Sequence, residues 1–203
     1  MNKNIKLFND WAIIGKDKGM EDGHADSVTK MLSLIPDSII SKKFNFIDYG
    51  CGNGWVVKNM SSHINCSRSV GLDGAEEMIK KAKKKDAKGV YYNVDIENWN
   101  NDVQYDIVFS MEFFYYLNNP LFLIQKIFDK VLKDQGFFVI GVDHYLENTS
   151  SLSWGSDLDL DIKTLSKKEW KDMFMESGFK NVNMFCYGAK NQWEGTLIIY
   201  ASK

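Results

Sequence analysis

Apolar and polar positions along this chain fall into short blocks that switch between two periods. Residues 26–34 read as a helix, with Val28, Met31, Leu32 and Ile35 on one face. Residues 44–49 are an apolar run that ends in glycines, as a buried strand would, and residues 55–63 read as a helix opening directly from those glycines. Residues 69–73 read as a second strand. Residues 75–85 form a helix that turns Met78, Ile79 and Ala82 inward. Residues 89–92 and 105–110 are a third and a fourth strand. Residues 121–132 place Leu121, Ile124, Ile127, Phe128 and Val131 at helical spacing, and residues 136–142 are nearly all apolar, the pattern of a strand covered on both faces. Strands alternating with helices imply βαβ units and a parallel sheet with right-handed crossovers.

The pattern changes after the fifth strand. A polar stretch over residues 144–163 leads to Ser166, which with Glu169 three residues on predicts a capped helix start. That helix runs to Ser177 and stops at Gly178. Residues 179–187 and 196–201 then read as two successive strands with no helix between them, which predicts antiparallel neighbours at one edge of the sheet. Upstream, residues 11–19 read as a polar, glycine-punctuated stretch.

Composition adds bounds rather than chemistry. A length of 203 residues is most economically one domain, and 44% hydrophobic with 26% charged residues is ordinary for a soluble globular protein. The formal net charge of −2 argues against a nucleic acid as a general partner. Lys80, Lys81, Lys83, Lys84 and Lys85 read as one solvated helix face. The three cysteines, Cys51, Cys66 and Cys186, have no metal-type spacing and fit a reducing, cytoplasmic setting. Residues 1–6 lack the apolar run of a secretory signal, and no stretch approaches the roughly 20 apolar residues of a membrane span. The run Asp157-Leu158-Asp159-Leu160-Asp161 has calcium-loop spacing, but Ile162 stands at its glycine position and Lys168 at its glutamate position. No metal is expected.

The chemistry sits in Asp48-Tyr49-Gly50-Cys51-Gly52-Asn53-Gly54. A glycine-rich turn between a first strand and its helix lets a ligand approach the backbone. Three details narrow the ligand. The dinucleotide fingerprint needs a glycine where Trp55 stands. Asp48 aims an anion at the loop, which repels a pyrophosphate and favours a cation. Asp73 ends the second strand, where a carboxylate can accept both ribose hydroxyls, and Asp95 follows the third, where it can accept from an adenine amino group.

Asp48-x-Gly50-x-Gly52-x-Gly54 resembles the first motif of class I S-adenosylmethionine (SAM)-dependent methyltransferases. The resemblance continues in order along the chain. It takes in residues 70–78, Val94-Asp95-Ile96, residues 105–110, Val131-Leu132-Lys133-Asp134-Gln135-Gly136 and Ser177-Gly178-Phe179, and so covers roughly residues 44–203. Asp134-Gln135 departs from the family's usual Pro-Gly, and Gly74 from its commoner Ser. The resemblance implies a Rossmann-like, doubly wound α/β fold: a seven-stranded, mostly parallel sheet with the last strand antiparallel and helices on both faces. It also implies one domain over residues 1–203. Residues 1–36 would form an N-terminal helical cap and 44–142 the SAM-binding core. Residues 143–165 would form an acceptor-side insertion, and 166–203 a C-terminal helix with edge strands. Asp48, Gly50, Cys51 and Gly52 would face the methionine portion of SAM, Asp73, Gly74 and Met78 the ribose side, and Asp95 and Ile96 the adenine. Ser110 would face the reacting centre.

Candidates for the acceptor side come from the N-terminal segment and from the loops beyond the strand ends. Glu112, His144 and His24 are the candidate proton acceptors, each a type that can be tuned toward neutral pH. Tyr115, Tyr145, Trp154 and Trp193 would suit an amine or cation through cation–π contacts. A small-molecule acceptor is favoured over nucleic acid or protein, because the chain leaves almost no room for a recognition domain; a monomer or homodimer is expected. Two rival readings remain open from the residues alone, a catalytically silent SAM-binding scaffold and a nicotinamide oxidoreductase.

Overall fold

The structure, a computed structural model, describes residues 2–203. Seven strands pair into one sheet: Phe44–Tyr49 (β1), Cys66–Asp73 (β2), Val90–Asn93 (β3), Tyr105–Met111 (β4), Leu132–Val142 (β5), Asn183–Tyr187 (β6) and Thr196–Ser202 (β7). Their order is β3-β2-β1-β4-β5-β7-β6. The pairs from β3 to β5 are parallel, and β7 runs antiparallel to both β5 and β6. The chain winds outward from β1 through β2 to β3, then returns to β4 on the other side of β1. A crevice therefore opens beyond the carboxyl ends of β1 and β4, the place where open α/β sheets bind ligands.

Side chains alternate across each strand, so β1 sends Ile47 and Tyr49 to one face and Phe46 to the other. On the first face they join Val108, Phe138 and Leu197 under Trp170 and Phe174. These last two belong to the helix Lys167–Glu176, which packs beside the helix Pro120–Lys126. On the second face Phe46, Ile107 and Val139 meet Val28 and Met31 of the helix Asp17–Leu32, Val56 and Val57 of Trp55–Ser61, and Ile79 of Glu76–Lys85. In chain order the helices are α1 (Lys3–Ile13), α2 (Asp17–Leu32), α3 (Asp37–Ile40), α4 (Trp55–Ser61), α5 (Glu76–Lys85), α6 (Pro120–Lys126), α7 (Trp154–Asp157) and α8 (Lys167–Glu176). The predicted capping box is present: Ser166 Oγ accepts from the Glu169 N–H, and Glu169 Oε2 from the Ser166 N–H. Among the described residues no helix is long and apolar enough to cross a membrane.

Three local expectations differ from the structure. Residues 11–19 are largely helical: α1 and α2 are separated only by a turn at Gly15, whose φ is +81°. The signal for α1 was Ile5, Phe8 and Ala12 at helical spacing behind Asn2, whose side chain caps the Asn4 N–H at 2.8 Å. Residues 132–135, expected to end a helix and turn, already belong to β5, within which Gln135 takes φ +63°, a left-handed conformation that favours glycine. The insertion after β5 is packed rather than open. Tyr145, Asn148 and Ser151 are fully buried, with Tyr145 Oη donating to the Gly195 carbonyl at 2.9 Å.

Candidate active site

The glycine loop closes β1 onto α4. Gly50 and Cys51 both donate their N–H groups to the Leu72 carbonyl at 2.9 Å, which ties the loop to β2. Gly50 has φ +76°, and a Cβ there would lie 2.5 Å from Phe113, so a larger residue meets both strain and a clash. Gly52, at φ +52°, faces open space; its missing side chain leaves the loop's backbone bare to the cleft. Asn53 is buried and latches the helical cap to the loop. Its Nδ2 donates to Asp17 Oδ2 at 2.9 Å and to Glu21 Oε2 at 3.1 Å, both on α2.

Residues from α1, α2, the glycine loop, the ends of β2, β3 and β4, and the segment after β4 line one cleft that is open to solvent on one side. Asp48, Gly50, Cys51, Gly52, Asp73, Gly74, Met78, Asp95 and Ile96 all lie on its wall. Asp73 Oδ2 accepts from the Gly52 N–H at 2.8 Å and Oδ1 from the Ala75 N–H at 2.7 Å. An ionised carboxylate offers about four acceptor positions, so about two remain for a pair of hydroxyls. Burial raises the Asp73 pKa despite those N–H donors. Asp48 is 3% exposed, its Oδ1 has no partner, and burial with Asp73 nearby holds its carboxyl well above the usual range. An orphaned buried carboxylate beside a second one fits a ligand that brings a cation and hydroxyls together. SAM has both, in its ammonium and ribose. A pyrophosphate would meet repulsion from both acids.

The sign of the Asp48 effect is open to measurement. A carboxyl whose pKa is raised on folding binds its proton more tightly in the folded state, so its contribution to stability falls as pH rises above about 3.9. Asp48→Asn is therefore expected to raise the melting temperature of the ligand-free protein at pH 7 and to weaken SAM binding. Melting curves and calorimetry on both chains check the pair; a drop in melting temperature would remove the premise that Asp48 is held against its own solvation.

On the acceptor side the structure gathers a group that the sequence only half discloses. Glu112 directly follows β4 with φ +57°, a strained conformation for a non-glycine residue, held by its N–H donating to the Gly141 carbonyl at 2.9 Å. Its carboxylate accepts from the Asp143 N–H and from Tyr115 Oη. Burial, with the Asp143 charge adding, pushes its pKa up to about 8. His24 Nε2 on α2 lies 3.6 Å from Asp143 Oδ2. Burial works to lower the His24 pKa, but Asp143 and Glu112 outweigh it and hold it above its usual value. Asp143 was missed because it follows an apolar strand in what reads as a loop; only the sheet places it beside Glu112.

Other expected site residues lie elsewhere. Ser110 does not face the cleft: it is buried and its Oγ donates to the Tyr49 carbonyl at 2.7 Å. His144 is not placed as a base. It is buried, Nδ1 donates to the Ser151 carbonyl at 2.9 Å, and Nε2 is thereby left to accept from Thr164 Oγ1 at 2.8 Å. Burial lowers its pKa, and it acts as a staple for the insertion. Tyr115 stands behind Glu112 rather than on the wall, Tyr145 is in the core, and Trp154 and Trp193 do not line the cleft. The aromatic wall consists instead of Phe8, Trp55, Phe113 and Tyr116, with Phe8 and Tyr116 edge to face at 5.3 Å.

Comparison with known proteins agrees with this geometry. A family described as methyltransferase domain matches residues 18–184. A malonyl-[acyl-carrier protein] O-methyltransferase 2 of Ilyobacter polytropus is 29% identical over 177 residues, covering 84% of this chain and 64% of that protein. A second Ilyobacter homologue, malonyl-[acyl-carrier protein] O-methyltransferase 1, is 29% identical, covering 69% and 53%. The chain thus spans less than two thirds of either relative. Among solved structures, a chain from the complex between the Haloferax volcanii Trm112 methyltransferase activator and a methyltransferase superposes with TM-score 0.83 at 26% identity, covering 96% of both chains. The N-methyltransferase NodS of Bradyrhizobium japonicum, bound to S-adenosylhomocysteine, shares the fold with TM-score 0.65 at 17% identity, covering 90% and 86%. The family match spans most of the chain, and sheet order and cleft agree with it: this protein belongs to the class I SAM-dependent methyltransferase domain family.

Proposed function

We propose that the protein transfers a methyl group from SAM to a small-molecule acceptor. The observation that carries this reading is the pairing, in one cleft, of the orphaned Asp48 and the half-engaged Asp73 with Glu112. SAM supplies an electrophilic methyl on a sulfonium, and displacement of a thioether needs little more than alignment. Asp48 would hold the ammonium end, Asp73 the ribose, and Asp95 and Ile96 the adenine edge. Glu112 prepares the acceptor: a carboxylate at that end of the cleft can take the proton that an amine or hydroxyl gives up. His24 stands next to it; His144 has no free nitrogen to contribute.

An acceptor carrying an amine or another cation remains the favoured class, but its support has moved. It rests on Glu112 and Asp143, and on Phe8, Phe113 and Tyr116, not on Tyr145, Trp154 or Trp193. A malonyl-[acyl-carrier protein] acceptor, the one named for the Ilyobacter relatives, would bring an anion toward the half-buried Glu112 and the buried Asp143. A cytoplasmic location is consistent with the unpaired cysteines Cys51, Cys66 and Cys186.

Calorimetry with SAM, S-adenosylhomocysteine and NADH tests the donor. Saturable heat with both sulfur nucleosides and none with NADH is expected; no heat with either would end the proposal. A metabolite extract incubated with methyl-labelled SAM then identifies the acceptor, and binding without any labelled product would favour the silent scaffold.

A further inference from the structure

We infer that His24, Glu112 and Asp143 form a binding site for one divalent first-row metal ion at the acceptor end of the cleft. The inference rests on the methyltransferase reading only for what the ion would do there. One ligand atom from each residue lies within 4.8 Å of the other two. The His24 Nε2 to Asp143 Oδ2 separation of 3.6 Å is too long for a hydrogen bond, which needs about 2.7–3.2 Å. It is close to the roughly 3–3.5 Å between two donors that each sit about 2.0–2.2 Å from one shared ion.

A second observation points the same way. The Asp143 side chain is 8% exposed, and its Oδ1 has no hydrogen-bond partner. A buried carboxylate oxygen left without a donor is one that a bound cation would satisfy. The supporting contacts are those of a ligand set. Glu112 is oriented by Tyr115 Oη and the Asp143 N–H, and its left-handed backbone turns the carboxylate to this point. One imidazole with two carboxylates suits Mn²⁺ or Zn²⁺ better than a thiolate-seeking ion. The three ligands come from α2 and from the residues directly following β4 and β5, so a bound ion would fasten the helical cap to the sheet. It would also polarise an acceptor oxygen, with Glu112 acting through the ion in place of taking the proton itself.

The test is titration of the full chain with Mn²⁺, with free ion followed by electron paramagnetic resonance, with and without S-adenosylhomocysteine. One ion per chain is expected. His24→Ala and Asp143→Asn should each weaken it about 10-fold or more, with S-adenosylhomocysteine affinity retained as the check on folding. Asp159→Asn, in the exposed acidic run, should leave it unchanged. No saturable site up to about 1 mM Mn²⁺, equal weakening by Asp159→Asn, or a primary amine that binds there while Mn²⁺ does not, would each overturn the inference. Failure to bind S-adenosylhomocysteine would instead strike the methyltransferase reading and leave the ion result to stand alone.

Discussion

Asp73→Ala is expected to weaken S-adenosylhomocysteine binding about 100-fold or more, which calorimetry measures directly. The carboxylate uses one position on the Gly52 N–H and one on the Ala75 N–H, and the rest face the cleft. Two hydrogen bonds from ribose hydroxyls to a charged acceptor contribute about 1.5–3 kcal/mol each, and about 1.4 kcal/mol is a tenfold change in affinity. The same substitution frees the Gly52 amide, so the loop loses one of its ties to the end of β2 as well as its ligand contact, while the Gly50 and Cys51 bonds to the Leu72 carbonyl remain. Asp73→Asn keeps one oxygen and should fall between the two. An Asp73→Ala chain that binds within about threefold of the parent would show that the ribose is held elsewhere.

Glu112→Gln is expected to lower turnover about 100- to 10,000-fold, the range for a group that prepares the acceptor, while donor affinity stays close to that of the parent. The substitution preserves shape and leaves an oxygen to accept from the Asp143 N–H, so the backbone turn should survive. What it removes is the ability to ionise, needed equally for taking a proton and for holding an ion beside His24 and Asp143. The comparison of labelled-product formation with S-adenosylhomocysteine affinity separates this from a general loss of structure. Undiminished turnover would take Glu112 out of the chemistry.

The cleft residues proposed for the donor were legible in the sequence because they are local. Gly50, Gly52, Asp73 and Asp95 sit at strand ends that the apolar runs already mark, and each strand end contributes one polar residue at a fixed place. The sheet, with β7 antiparallel, was legible for the same reason: period and turn residues set it. The acceptor half was legible only in part. Glu112 and His24 stood among the candidates beside His144, but Asp143 did not, and His24, Glu112 and Asp143 are far apart in the chain, so only the folded sheet and α2 bring them together. Aromatic residues misled in the opposite direction. Tyr145 and His144 lie in a polar stretch that reads as an exposed loop, yet they fill its interior. Composition does not say which way a side chain turns. Helix α1 shows the limit of periodicity itself: its apolar residues are spread around it, Ile13 and the following Ile14 are exposed, and the segment reaches the cleft through its cap Asn2 and through Asn4, Ile5 and Phe8.

Asp48 and Asp73 have a consequence for the life of the protein in a cell. Both carboxyls are raised by burial, so the ligand-free chain carries a standing electrostatic penalty that a cationic ligand relieves. Whatever binds only the folded form stabilises it in proportion to the logarithm of its concentration. The folded fraction, and with it the rate at which proteases reach the chain, is thereby linked to donor supply. When SAM is scarce this protein is expected to be degraded faster, so that its abundance reports on methyl-donor supply; in the Asp48→Asn chain that link is weaker.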